Sequence, residues 1–163
     1  MTLQEHKRTK KVNKAIKINI KRRTVIVNDV LSYHKGLPIP SWIELSLIDV
    51  CNRSCIFCPK SDPLIAPNTY QKMNMILIEK LTKDLKKINY KGSVVLCGYG
   101  EPMLHKEIYK ISRKLAEAAF VEIVTNGDTL TKEVIRKLYN SNVNKLLISL
   151  YDGPFQIKKF KKM

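Results

Sequence analysis

The sequence predicts an α/β fold: strand–helix units in succession around a parallel sheet, wound in one direction as an open or closed barrel would be. Two observations lead there. Four short apolar runs recur at 43–50, 94–97, 121–125 and 145–150, and helical patterns separate them. Strands alternating with amphipathic helices are the pattern of βα units. The runs are nearly all apolar, as a sheet covered on both faces requires. Right-handed crossovers then wind every unit the same way. A third feature bears on function: glycines, cysteines or carboxylates follow each run, and ligands of such folds sit beyond the C-terminal strand ends.

In chain order, residues 1–11 are polar and basic. Ile16, Ile18 and Ile20 alternate with Lys17, Asn19 and Lys21, the period of a half-buried strand, and 24–27 reads similarly. Together they suggest a β-hairpin within a basic N-terminal arm over 1–40. Pro38 and Pro40 punctuate a connector. The second region, 41–163, holds the βα units. Ile78, Leu81, Leu85 and Ile88 fall at spacings of three and four, predicting a helix over 75–88. Ile108, Ile111, Leu115 and Ala118 predict a second, and Val134, Ile135 and Leu138 a third. Residues 154–163 read as the beginning of another.

The 163 residues suit one domain of ordinary size, and an apolar share of 44% is that of globular chains. No apolar run approaches the roughly 20 residues that span a bilayer, so no membrane role is expected. The N-terminus lacks the apolar stretch of a secretory signal, which makes a cytoplasmic location the default. There, clustered cysteines more often bind metal or do redox chemistry than form disulfides. The net charge of +16 is concentrated at the two ends. Clustered Lys and Arg can displace counterions from nucleic-acid phosphates. Against that partner, lysine greatly outnumbers arginine and no aromatic residues are interleaved to stack on bases. A solvated lysine-rich surface is the plainer reading.

The first run is followed by Asp49-Val50-Cys51-Asn52-Arg53-Ser54-Cys55-Ile56-Phe57-Cys58-Pro59. The spacing C-x3-C-x2-C lets three thiolates converge on one metal centre. Iron–sulfur clusters are held by cysteine thiolates, usually four. Three ligands on a 4Fe–4S cluster leave one iron open to a substrate or cofactor. Structural zinc is the main alternative, but it usually takes four protein ligands as two C-x2-C pairs. Here there is one such pair; Cys97 lies far along the chain at a strand end, and His105 is another candidate fourth ligand. A disulfide would strand one cysteine of the trio. Arg53, close to the thiols, is expected to favour their thiolate state.

Cys97-Gly98-Tyr99-Gly100-Glu101-Pro102 follows the second run. Its glycines permit close backbone approach to a ligand, and Glu101 can accept hydrogen bonds from an ammonium. The same residues could form only a turn with an acid at a helix start. Thr125-Asn126-Gly127-Asp128 follows the third run, with the Asn-Gly turn signal. Ser149-Leu150-Tyr151-Asp152-Gly153-Pro154 follows the fourth, where Asp-Gly-Pro could simply close the strand. Cys97 is read most simply as a buried strand residue, and His105 as a helix-start residue.

Taken together, these segments resemble the radical S-adenosylmethionine (SAM) superfamily. The cysteine loop is similar to its C-x3-C-x2-C signature, with Phe57 as the aromatic residue before the last cysteine. The resemblance implies a 4Fe–4S cluster on Cys51, Cys55 and Cys58, whose open iron is chelated by SAM's amino and carboxylate groups. It implies that Gly98, Tyr99, Gly100 and Glu101 match the element that bonds the SAM amino group, with Tyr99 a departure from the commoner small residue. Asn126 would lie near SAM, Ser149 and secondarily Asp152 would contact its ribose or carboxylate, and backbone near Phe57 would touch adenine. The implied activity is reductive cleavage of SAM to a 5′-deoxyadenosyl radical that abstracts a hydrogen atom from a peptide or small-molecule substrate. Electrons would come from a reductant such as flavodoxin or ferredoxin. The wording of the segments over 40–163 is most similar to members with an extra C-terminal cysteine-rich (SPASM-type) domain. The resemblance implies a partial (β/α) TIM-like barrel with more βα units than the four read here, so the chain is read as truncated, with an unpaired edge on its last strand. A non-catalytic iron–sulfur or zinc module that binds RNA through the basic arm, or an inactive remnant, are the competing expectations.

Overall fold

The computed structural model describes residues 32–163, with Lys17 the one residue described before them. The hairpin expected within 16–27 lies outside the described residues. The chain divides into two compact units, Met1–Ser41 and Trp42–Met163.

In the first unit, β1 (Ser32–His34) and β2 (Leu37–Ile39) pair antiparallel, Ser32 opposite Ile39 and His34 opposite Leu37. Lys35 and Gly36 turn the chain with φ of 51° and 79°, the two positive values of the turn that matches strand twist in a two-residue hairpin. Pro38, expected in a connector, sits inside β2. A two-stranded ribbon has free edges, where a residue without an N–H is tolerated.

The second unit carries β3 (Trp42–Leu45), α1 (Met75–Lys87), β4 (Ser93–Leu96), α2 (Ile108–Leu115), β5 (Phe120–Thr125), α3 (Lys132–Tyr139), β6 (Lys145–Ile148) and α4 (Phe155–Lys161). Short 3₁₀ turns occupy Pro59–Ser61 and Pro102–Leu104. The sheet is wholly parallel in the order β3-β4-β5-β6, with Ile43 beside Val94, Val94 beside Val121 and Ile123 beside Leu146. Sequential neighbours mean that the winding never reverses, the order of a barrel segment rather than of a doubly wound sheet.

Local chemistry fixes the starts of α1 and α3. Asn74 Oδ1 accepts the Leu77 N–H at 3.0 Å, and Thr131 Oγ1 accepts that of Val134 at 3.2 Å, as N-caps do. Past α1 the chain turns through Asn89 at φ 50°, with the Tyr90 N–H returning to the Leu85 carbonyl at 3.0 Å. That is the left-handed cap in which asparagine can replace glycine. The apolar stripes read from the sequence bury Ile78, Leu85, Ile108, Ile111, Leu115 and Leu138, while Val94, Leu96, Val121 and Ile123 of the sheet are fully buried.

The structure corrects three expectations. The first strand ends at Leu45, and 46–50 is largely irregular, with one bridge from Ile48 to Lys72. The sheet is not apolar on both faces: Glu122 binds Lys145 at 2.6 Å, and Glu44 and Glu122 share the row of Val95. Cys97 is half-buried and stands one residue beyond β4. Among the described residues, no helix is long and apolar enough to cross a membrane.

Candidate metal and cofactor site

All four parallel strands end at the same side of the sheet, and the segments after them share one cavity. It is lined by Cys51, Cys55, Phe57 and Cys58 after β3, by 97–101 after β4, by Thr125 and Asn126 at β5, and by Ser149 and Tyr151 after β6. Of the residues singled out from the sequence, the three loop cysteines, Phe57, Gly98, Tyr99, Gly100, Glu101, Asn126 and Ser149 all face it. Asp152 is not among the lining residues; its carboxylate binds Arg53, with Nη1 at 3.0 Å and Nη2 at 2.8 Å.

Glycine makes the close approach at β4 possible. A Cβ on Gly100 would lie 1.8 Å from the Ile48 carbonyl oxygen, and the next N–H, of Glu101, donates to the Val50 carbonyl at 2.8 Å. The glycine loop is thereby seated on the backbone that leads into Cys51. Gly98 has φ of 123°, and a Cβ there would meet the Ser46 hydroxyl at 2.5 Å.

Glu101 is the buried centre of the site, with 3% of its surface exposed. Its Oε1 accepts the Met103 N–H at 3.0 Å and the Thr125 hydroxyl at 2.7 Å, while Oε2 accepts the Asn126 N–H at 2.9 Å. The first bond caps the 3₁₀ turn, so the helix-start reading holds locally, and the other two reach across to β5. A carboxylate offers about four acceptor sites; three are filled, and one on Oε2 remains for a ligand donor.

The cysteine loop is tied to the neighbouring strand ends by side chains. Asn52 donates to Asp128 at 3.0 Å and accepts from Asn126 at 2.8 Å. Arg53 binds Asp128 through Nε at 2.6 Å and through Nη2, in addition to Asp152. Sequence reasoning missed Asn52 and Asp128, because nothing in their local spacing signals a partner seventy-odd positions away.

Electrostatics also differ from expectation. Burial pushes the Cys51 thiol up, and the Glu101 carboxylate and the other two thiols add to this, opposed by the Arg53 backbone N–H. The Arg53 guanidinium is spoken for by two carboxylates. Cys97 is pushed up to about 11 by burial, helped by Glu44 and Glu122, and stays a neutral thiol. His105 is buried, its ring between the Met73 carbonyl at 3.1 Å and the Glu107 N–H at 3.2 Å. Both ring nitrogens are engaged within the fold.

All four cysteines are free thiols. Among the described residues, no three His, Cys, Asp or Glu side chains gather tightly enough to hold a single metal ion. A cubane cluster asks for something different: each cysteine binds its own iron, so the thiolates stand around a body several ångströms wide. The three loop cysteines open on one cavity, which Cys97 and Glu101 also line, and three soft sulfur donors from one loop are a set that fits such a cluster.

The comparisons with known proteins agree with this geometry. The model of the radical SAM superfamily matches residues 45–162. The S-adenosyl-L-methionine-dependent 2-deoxy-scyllo-inosamine dehydrogenase of Niallia circulans is 28% identical over 116 residues, 69% of this chain and 46% of that protein. A probable GTP 3′,8-cyclase of Saccharolobus islandicus is 31% identical over 118 residues, 71% of this chain and 36% of the relative. The crystal structure of BtrN in complex with AdoMet and 2-DOIA superposes with a TM-score of 0.65 at 28% identity, covering 71% of this chain and 48% of that one. The chain thus spans less than half the length of these relatives.

Proposed function

The chain belongs to the radical SAM superfamily, and on that premise we propose that it binds a 4Fe–4S cluster and SAM at the ends of its four parallel strands and serves hydrogen abstraction from a substrate. The observation that carries this reading is the single cavity onto which the three loop cysteines and Glu101 both open. Cys51, Cys55 and Cys58 would hold the cluster. When bound, cluster and SAM supply one-electron reductive cleavage, yielding methionine and a 5′-deoxyadenosyl radical as the oxidant of the substrate C–H bond.

The protein's own part is to bind and orient. The free acceptor site on Glu101 Oε2 suits the SAM ammonium, and the three donors already on that carboxylate hold it still for the purpose. Close backbone at Gly98, Tyr99 and Gly100 lets the amino-acid end of SAM approach. Ser149 offers a hydroxyl to the ribose or carboxylate. Phe57 packs against Tyr151, ring centroids 5.0 Å apart, and the pair forms an aromatic wall suited to the adenine. Asn126, which lines the cavity and donates to Asn52 at 2.8 Å, would face the same ligand. Electron supply would come from a flavodoxin- or ferredoxin-like reductant in the cytoplasm.

For the substrate, a small polar molecule is the reading favoured over a peptide, because the relatives carry the names of enzymes acting on an aminocyclitol and on GTP. Anaerobic reconstitution with iron and sulfide, reduction, and assay for 5′-deoxyadenosine test the function. The expected result is a cluster and product that both disappear in Cys55→Ala. Uptake of zinc with no cluster assembly would overturn the reading.

A further inference from the structure

Residues 51–54 carry half of the proposed ligand loop, yet among the described residues no backbone–backbone hydrogen bond ties them to another element beyond the Glu101 N–H on Val50 just before. The first internal bond of the loop is that of the Cys58 N–H to Cys55, at 2.8 Å. Side chains anchor the segment: Asn52 bonds Asp128 at 3.0 Å and Asn126 at 2.8 Å, and the Arg53 guanidinium carries the charged part of the tether. Arg53, its side chain 16% exposed, binds Asp128 through Nε and Nη2 and Asp152 through Nη1 and Nη2. Both contacts are two-pronged, the geometry in which arginine outperforms lysine.

The two carboxylates are themselves held. The Asp128 N–H donates to Asn126 Oδ1 at 2.9 Å, fixing the turn after β5. Buried Gln156 of α4 donates to Asp152 Oδ2 at 2.8 Å and accepts the Asp152 N–H at 3.0 Å. Ordinary surface ion pairs contribute little, but this one is bidentate twice over and braced from both sides, with the guanidinium largely covered while the Asp152 side chain stays 45% exposed.

We propose that Arg53 is a positioning residue, clamped between Asp128 and Asp152 so that the cysteine loop is held ready for its metal before the metal arrives, and that Asp152 serves the site through Arg53 rather than by touching the cofactor. This rests on the loop being the cluster loop. Removing Arg53 would leave two carboxylates facing each other and only the neutral Asn52 bonds to hold the first half of the loop.

Hydrogen exchange of the metal-free chain reads the clamp without any cluster. In Arg53→Gln, the hydrogen-bonded amides that bracket the loop, those of Cys58 and Glu101, are expected to exchange roughly tenfold faster, while those of β5 and α2 keep their protection. Arg53→Lys should behave alike, since an ammonium cannot span both carboxylates, and so should Asp152→Asn. The double variant should add little to either single change, as members of one network do. On reconstituted protein, the same variants should lose iron to a chelator about tenfold faster than the parent, a readout that a merely structural role would leave unmoved. Loop exchange in Arg53→Gln equal to that of the parent would overturn the clamp. An Asp152→Asn variant with parental loop exchange and parental iron loss but weakened SAM binding would return Asp152 to direct contact. A parent that assembles no cluster would sink the proposed function, while the exchange experiment still decides whether the clamp exists.

Discussion

The Asn126 N–H donates to the Glu101 carboxylate at 2.9 Å, joining the loop after β4 to the turn after β5 at a point where Glu101 is 3% exposed. A buried carboxylate with three donors is a structural member as well as a candidate ligand. Glu101→Ala leaves the Asn126 and Met103 N–H groups without their partner, and an unsatisfied buried donor costs about 1–3 kcal/mol. Loss of that order is expected in urea unfolding. Glu101→Gln should lose nearly as much, because an amide nitrogen facing the Asn126 N–H sets donor against donor.

Gly100→Ala is expected to destabilise more than Gly36→Ala. At Gly100 a Cβ would overlap the Ile48 carbonyl oxygen at 1.8 Å, and backbone would have to move. Overpacking of this kind costs about 1–3 kcal/mol, occasionally more. At Gly36 nothing lies within 4 Å, and only the positive φ of 79° is strained, a penalty of about 1–2 kcal/mol. Thermal unfolding of the two variants compares them.

Alkylation should find Cys97 slow. With its thiol pushed up to about 11 from an ordinary 9.0, the thiolate fraction near neutrality is on the order of a hundredfold below that of an unperturbed cysteine. Mass spectrometry after timed iodoacetamide treatment should record Cys97 labelling that still accelerates above pH 10. Rapid labelling at pH 8 would contradict the burial and the carboxylates beside it.

The Arg53–Asp128 contact predicts an acid limb. Hydrogen bonds from Arg53 hold the Asp128 carboxyl below its ordinary 3.8. A pKa depressed by folding contributes stability that is fully present above the unfolded value and is lost as pH falls through the folded one. Denaturant unfolding between pH 6 and pH 2 should therefore weaken below about pH 4, and Asp128→Asn should make that decline shallower. An unchanged slope in the variant would remove Asp128 from the account.

The parallel sheet was legible because period and composition are local properties: Ile78, Leu85, Ile111 and Leu115 announce buried helix faces from their spacing alone, and all four are buried. The cavity-lining residues were legible for a related reason. Parallel strands deliver their C-terminal loops to one side, so a cysteine loop, a glycine–acid loop and an Asn-Gly turn had to meet there. Distant pairing was not legible. Arg53 lies 75 positions from Asp128 and 99 from Asp152, and no local pattern says that its charge is taken. The β1–β2 hairpin escaped because Pro38 reads as a break, although an edge strand accepts it. The charged row of Glu44, Glu122 and Lys145 was hidden among apolar neighbours, where each looks like a lapse in a strand rather than part of a polar face.

The central claim is that cluster and SAM share the cavity at the strand ends. Electron paramagnetic resonance of the reconstituted, reduced chain, recorded with and without SAM, tests it most directly. A site-differentiated cluster on Cys51, Cys55 and Cys58 predicts a reduced-cluster spectrum whose g-values shift when SAM is added. A spectrum indifferent to saturating SAM, or no iron–sulfur signal at all, would contradict the claim.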